Sequence, residues 1–146
     1  MASVDQAPTI DLDAVREQSN ESPVFYIQYA HARIASITRK AQEAGIVRDP
    51  LEAVDLSVLT HDREIEVLRT LSELPEMLEI ATRERAPHKI TAWVRELADR
   101  FHGFYHDCYV IGDVPPEQAR LWLVEAARTG FAIGLDLLGV SAPERM

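Results

Sequence analysis

Four polar side chains have types and spacings suited to holding unpaired nucleotide bases. Tyr105 and Tyr109 are four residues apart, as are Tyr29 and Arg33, so each pair shares one face if its segment is helical. A tyrosine ring stacked on a base contributes about 1–3 kcal/mol, and an arginine can reach a phosphate or a base edge. The competing interpretations are amphipathic packing of the rings and a solvent-facing charge, and spacing alone does not separate them.

Metal and nucleophile chemistry has less support. His102 and His106 are also four residues apart, which suits two metal ligands on one helix face, but no glutamate follows His102 as in a zinc protease. We therefore expect a partly exposed helix face and no metal. The sequence contains no glycine-rich phosphate loop. Cys108 lies in an apolar helical stripe, which favours core packing over a role as a nucleophile.

An adjacent histidine–aspartate pair, His61-Asp62, keeps one enzyme class open. Helical metal-dependent phosphohydrolases use such a pair with a further histidine and a distant aspartate, and His31 and Asp107 would take those places. The other interpretation is that Asp62 stands at a helix start and stabilises the helix dipole. A metal-dependent phosphohydrolase is the alternative function, and a helical interaction module without an RNA role is a third.

Turn-forming residues divide the chain into the helices that would position these side chains. A glycine follows the expected end of the first helix at Gly45 and of the last at Gly139, and Pro75 is expected to interrupt the second helix. The starts of four helices are predicted at Pro23, Thr60, Pro87 and Glu117. No pair of alternating runs flanks a turn dipeptide, so no strand pair is expected. The predicted fold is an all-α bundle of five to six helices.

Apolar residues recur at intervals of three and four in these segments, which predicts one buried face per helix. For the helix after Thr60 the predicted face consists of Ile65, Leu68, Leu71 and Leu74. For the helix after Pro87 it consists of Ile90, Trp93, Val94, Leu97, Phe101, Phe104 and Cys108. Trp93 and Trp122 are assigned to the core. Gly130 and Gly134 predict close contact between helices.

Composition bounds the classes of protein that fit. The 146 residues suit one domain, and 47% hydrophobic residues suffice for a core. The longest apolar run, residues 131–140, is too short for a membrane span and contains Asp136. A single cysteine allows no internal disulfide and suits a reducing compartment, so a cytoplasmic location is expected.

Charge is unevenly distributed along the chain. The formal net charge of −9 argues against indiscriminate binding to nucleic acid. Residues 45–85 hold ten acidic and five basic residues, whereas residues 21–44, which include Tyr29, hold two acidic and three basic residues. The first long helix is thus less acidic than the segment that follows it.

Three segments resemble arginyl-tRNA synthetases. They are Gln-Tyr-Ala-His-Ala-Arg at 28–33, Phe-Tyr-His-Asp-Cys at 104–108 and Leu-Leu-Gly-Val-Ser-Ala-Pro-Glu-Arg-Met at 137–146. They occur in the family's order, and the resemblance extends from about residue 9 to the end. The chain is similar to the C-terminal helical anticodon-binding domain of this family, a domain of DALR type.

The resemblance implies a function and a set of residues. Arginyl-tRNA synthetases are class I enzymes that use ATP, with Mg, to join arginine to its tRNA, and this domain grips the anticodon stem and loop. The residues expected to bind tRNA are Tyr29, Arg33, Tyr105, Tyr109 and Met146. His31, with Arg33, is expected to hold the first long helix and its tyrosine in place. An anticodon-binding domain reads a few splayed bases through shape and stacking, so overall positive charge is not required.

The chain also departs from the family pattern. The two catalytic nucleotide-binding signatures and the name-giving Asp-Ala-Leu-Arg helix are absent. The chain is therefore expected to be a fragment with no catalytic residues and no cofactor, which lacks one helix of its own bundle. We expect residues 1–10 to be a linker with an added Met1-Ala2 start, and residues 11–146 to form the domain. The expected partners are arginine tRNA and the catalytic domain of the same polypeptide, in a monomeric parent enzyme.

Overall fold

Five α-helices make up most of the computed structural model, which describes residues 22–112 and 116–146. The helices are α1 (Pro23–Glu43), α2 (Asp62–Ser72), α3 (Leu74–Arg83), α4 (His88–Asp107) and α5 (Glu117–Leu137). Short 3-10 turns at Leu51–Ala53 and Leu56–Val58 precede α2. Only Glu73 separates α2 from α3, so the pair can be counted as one interrupted helix and the bundle as four. The all-α prediction is confirmed, with a helix count at or just below the lower end of the predicted range.

Local signals account for the helix ends. Pro23 occupies the first position of α1, and the predicted glycine stops follow α1 and α5, with φ of 73° at Gly45 and 68° at Gly139. Both lie in the left-handed region that glycine adopts without steric cost. At the start of α2 the His61 side chain accepts from the backbone N–H of Arg63, and the Glu64 carboxylate accepts from the backbone N–H of His61. The predicted linker at residues 1–10 lies outside the described residues.

Helix α4 is the centre of the bundle and packs against each of the other four helices. Its predicted stripe is largely confirmed, because Trp93, Val94, Leu97, Phe101 and Phe104 are buried. The phenylalanine rings form a tilted pair with centroids 6.0 Å apart. None of the described helices combines the length and the apolar character that a membrane span requires.

The paired glycines of α5 allow α4 to approach closely, as predicted. A Cβ atom added at Gly134 would collide with the Val94 side chain. One added at Gly130 would stand 2.7 Å from a methyl of Leu71. Gly130 and Gly134 are both buried. Because they have no side chain, α5 can pack closely against its neighbouring helices.

The predicted apolar face of the segment after Thr60 holds for Leu71 and Leu74, which are partly buried and pack against the core, and is wrong for Ile65 and Leu68. Ile65 and Leu68 are 39% and 38% exposed, and the buried residues of the helix are Glu64, Val67 and Thr70. The polar groups on the buried side of α2 are satisfied by hydrogen bonds to other helices. The Glu64 carboxylate accepts from Arg120 Nε at 2.6 Å, and the backbone carbonyl of Thr70 accepts from the Trp93 indole at 2.8 Å.

The assignment of the two tryptophans to the core holds for one of them. Trp93 is buried in the main cluster. Trp122 is only half-buried, and its indole donates to the backbone carbonyl of Asp49 at 3.0 Å while Arg48 lies 4.2 Å from its ring centre. Trp122 therefore fastens the loop after α1 to the surface of α5.

Candidate nucleic-acid interface

Tyr29 and Arg33 on α1 meet Tyr105 on α4. The Arg33 guanidinium carbon lies 4.7 Å from the centre of the Tyr29 ring and 4.5 Å from the centre of the Tyr105 ring. Each contact is a cation–π interaction, worth about 0.5–1 kcal/mol at an exposed site. Arg33 therefore fixes two rings from different helices relative to each other.

The hydroxyl of Tyr29 is oriented by the same arginine. Arg33 Nη2 donates to Tyr29 Oη at 2.6 Å. Because the oxygen accepts this bond, its own proton is available for donation to another acceptor. The arrangement offers a positioned hydrogen-bond donor beside two aromatic rings.

The C-terminal segment is fastened across α1 and α5. Gln28 Nε2 donates to the Ser141 carbonyl at 2.9 Å, and His31 Nδ1 lies 2.9 Å from the Pro143 carbonyl. Arg128 on α5 pairs with Glu144 at 2.9 Å. His31 is buried, so its contact with the segment is shielded from water. These contacts hold the segment that leads to Met146 against the first helix.

A cleft of about 460 Å³ results from this convergence. Its lining includes Tyr29, Arg33, Tyr105 and Met146, which are four of the five residues predicted to bind tRNA. Tyr105 is 36% exposed, and Met146 is also exposed. Three elements distant in sequence thus present apolar and aromatic surface to one hollow.

Sequence reasoning missed the charge of this cleft. Arg39, Lys40 and Arg145 line it together with Arg33, against the single side-chain carboxylate of Glu144. Lys40 follows Arg33 by two helical turns, so the spacing of basic residues along α1 was a usable signal. The cleft is therefore basic in a chain whose net charge is −9.

A half-buried histidine of α4 packs against two tyrosine rings of α1. The ring of His102 lies 4.8 Å from that of Tyr26 and 6.0 Å from that of Tyr29, and the latter pair is stacked. Burial, and then the charge of Arg33, lowers the pKa of His102, so the neutral ring is favoured. Burial and a hydrogen bond to Asp99 raise the pKa of Tyr26 to about 12.

Tyr109 is not part of the cleft lining. It follows the end of α4, and its side chain is 80% exposed. Its backbone is nevertheless held in place, because its carbonyl accepts from Arg120 Nη1 at 2.7 Å, and Arg120 pairs with the buried Glu64. A role for Tyr109 at the RNA stays a prediction and would require contact outside the cleft.

The residues of the alternative phosphohydrolase serve other purposes. His61 accepts a capping bond from the backbone N–H of Arg63, and Asp107 pairs with Arg63 at 2.8 Å. His31 faces the C-terminal segment. Across residues 22–112 and 116–146 there is no group of three or more histidine, cysteine or carboxylate side chains placed to hold a metal. Nothing in the described part of the chain supports this alternative.

Comparison with protein families agrees with the geometry. The family model described as "DALR anticodon binding domain" matches residues 27–146, which is most of the chain and includes the whole cleft lining. The chain belongs to the DALR anticodon binding domain family. The residues of α1, α4 and the C-terminal segment that line the cleft of this anticodon binding domain all fall within the matched residues.

Named relatives of the domain are much longer proteins. It is 47% identical over 147 residues to an arginine--tRNA ligase from Carboxydothermus hydrogenoformans, covering all of this chain and 26% of that protein. It is 47% identical over 150 residues to an arginine--tRNA ligase from Frankia alni, covering 99% of this chain and 27% of that protein. The anticodon binding domain thus spans about a quarter of the length of the curated relatives it matches.

Solved structures share its fold. A Campylobacter jejuni protein described as an arginyl tRNA synthetase superposes with a TM-score of 0.85 at 28% identity, over 99% of this chain and 31% of that one. The Thermus thermophilus arginyl-tRNA synthetase superposes with a TM-score of 0.70 at 33% identity, over 88% of this chain and 22% of that one. Both likenesses involve a minor part of a larger synthetase chain.

Proposed function

We propose that this domain binds the anticodon loop of an arginine tRNA, as part of an enzyme that uses ATP to ligate arginine to that tRNA. The observation that carries the proposal is the single cleft shared by Tyr29, Tyr105 and Met146. Unpaired bases need flat apolar surface for stacking and directed polar groups at their edges. A cleft of this kind on a domain matched by an anticodon-binding family model supports RNA as the ligand.

Each side chain has a distinct role in the proposed site. Tyr105 offers ring surface for stacking, and the thioether of Met146 adapts its shape to a neighbouring base. Tyr29 donates its hydroxyl proton to an acceptor on a base edge, because its oxygen is already engaged by Arg33. Arg33 holds the two rings and adds positive charge. His31 positions the C-terminal segment, and Tyr109 contacts the loop from outside the cleft.

The chemistry of ligation lies elsewhere in the proposed enzyme. ATP with Mg, and arginine, would bind to the catalytic part of the parent, in a cytoplasmic and monomeric enzyme. This domain would contribute recognition only, so its variants should change the use of tRNA.

The test is Tyr105→Ala in the 146-residue chain. Loss of one stacking contact of about 1–3 kcal/mol lowers the affinity for an anticodon stem-loop RNA by about 5- to 150-fold. Since Tyr105 is partly exposed, the thermal midpoint should change little. Fluorescence anisotropy gives the affinity, and circular dichroism gives the midpoint.

Leu68→Ala is a matched control, since Leu68 is exposed to a similar extent but lies on α2 outside the cleft. It should leave RNA affinity unchanged. If Tyr105→Ala loses stability in proportion to its loss of RNA binding, the ring has a packing role and the proposal fails. Equal affinity for the cognate hairpin and for a hairpin with an altered loop would also contradict it.

A further inference from the structure

The cleft continues as a groove along α1. A depression of about 290 Å³ shares Arg39 and Glu144 with the cleft. A third depression of about 520 Å³ shares Thr38, Gln42 and Arg128 with the second. Because neighbouring depressions share lining residues, the three adjoin one another along α1, and we refer to them together as the groove, which begins at Tyr105 and passes Arg39.

Positive charge is concentrated along this groove. Six of the fifteen lysine and arginine residues of the chain line it, against two carboxylates. The six are Arg33, Arg39, Lys40, Arg48, Arg128 and Arg145. In a chain with a net charge of −9, a continuous basic groove is a local exception and favours a polyanionic ligand.

Besides Arg33, three of these cations, Arg39, Lys40 and Arg145, form no ion pair within the described residues. Arg48 pairs with Glu125 at 3.1 Å, and Arg128 pairs with Glu144 at 2.9 Å. Arg33 is enclosed by two tyrosine rings. Arg39 and Lys40 have no carboxylate within 4.0 Å in the part of the chain that the structure describes. They stand on a regular helix about 10 Å along its axis from Arg33, at 1.5 Å per residue.

We infer that Arg39 and Lys40 bind phosphates of the RNA strand whose unpaired bases enter the cleft. The strand then runs along α1 from Tyr29 toward the C-terminal end of that helix. Base contacts in the cleft select the loop, and these two cations set the register of the strand without reading its sequence. The inference rests on the proposed function, because the cleft must hold bases of the same strand.

The test compares two double variants of the 146-residue chain. Arg39→Gln with Lys40→Gln removes the groove cations, and Arg83→Gln with Lys89→Gln removes an equal charge from the α3–α4 end. The probe is an anticodon stem-loop RNA, titrated by fluorescence anisotropy at several salt concentrations. Log affinity falls as log salt concentration rises, and each lost phosphate contact makes this slope shallower by about 0.7–0.9. The slope of the groove variant should therefore be shallower by about 1.5, and its affinity at low salt about tenfold lower.

The outcomes separate the two proposals. If the groove variant keeps the wild-type slope, or if both double variants lose slope equally, the inference is overturned. Tyr105→Ala should weaken binding with an unchanged slope, because stacking releases no counterions. If the wild-type chain does not prefer the cognate loop, the proposed function itself fails. Circular dichroism checks that each variant is folded.

Discussion

At the scale of single residues, Arg33 decides how the cleft is built. Its guanidinium lies between the rings of Tyr29 and Tyr105 and donates to the Tyr29 hydroxyl. An arginine suits this place because its planar group stacks on rings and donates in plane at the same time. The tyrosines are therefore oriented before any ligand arrives, which reduces the entropy lost on binding.

His102 gives a pH-dependent prediction at this scale. Burial, and then the charge of Arg33, lowers its pKa in the folded state below the usual 6.5. As the pH falls below 6.5, His102 is protonated in the unfolded chain before it is protonated in the folded chain. The free energy of unfolding therefore decreases between pH 6.5 and the pKa of His102 in the folded state, and it stays at the lower value below that pKa. The unfolding free energy of His102→Gln should fall less than that of the wild type between pH 7.5 and 5.

Urea denaturation at the two pH values measures this difference. The wild-type chain, measured at the same two pH values, is the reference for this comparison. If His102→Gln shows the same pH dependence as the wild type, burial of the imidazole does not contribute to stability as argued.

At the scale of helices, a buried carboxylate connects α2 to α5. Glu64 is 1% exposed, accepts from the backbone N–H of His61 at 2.9 Å and pairs with Arg120 at 2.6 Å. The same arginine holds the carbonyl of Tyr109. The Glu64–Arg120 pair thus caps α2, links it to α5 and fixes the backbone beyond the end of α4.

Glu64→Gln tests this connection. Removing one partner of a buried ion pair leaves Arg120 uncompensated and should cost about 3 kcal/mol of unfolding free energy. Glu66→Gln on the same helix removes partly exposed pairs with Arg63 and Arg100 and should cost less than about 1 kcal/mol. Urea denaturation measures both. Equal losses for the two variants would show that burial of the pair is unimportant.

Gly134→Ala tests the contact between α4 and α5. The added methyl would collide with Val94, so we expect a loss of about 1–3 kcal/mol. At Gly103 on α4 a methyl would meet only the end of the Arg63 side chain, which can move. Gly103→Ala should be neutral or stabilising by up to about 1 kcal/mol, since alanine favours the helix. Thermal unfolding of both variants would reveal the opposite signs, and a neutral Gly134→Ala would contradict the close approach.

At the scale of the whole molecule, the chain is acidic with one basic groove. This charge distribution disfavours binding to RNA in general, so RNA binding depends on a few contacts in the groove. We expect the isolated domain to bind arginine tRNA weakly and with strong salt dependence, because a full-length relative adds further contacts at high effective concentration. Titration of the domain and of a full-length relative at two salt concentrations tests this. Tight binding by the domain that is insensitive to salt would contradict it.

The sequence alone predicted the helices, their ends and four of the eleven residues that line the cleft. Proline starts, glycine stops and the 3.6-residue period are local properties, so they can be read without knowing the neighbours of a helix. The segment around Tyr29 and the terminal segment pointed to the family, which the comparisons confirm. The roles of Tyr29, Arg33, Tyr105, Tyr109 and Met146 at the RNA remain predictions.

Only the tertiary structure decided which face of α2 is buried and which residues share the cleft. Glu64 faces inward because its partner Arg120 is supplied from another helix, and this leaves Ile65 and Leu68 exposed. Tyr105 meets Arg33 while Tyr109, one turn later, lies beyond the end of α4. Such outcomes depend on contacts between residues far apart in the chain, which no local pattern encodes.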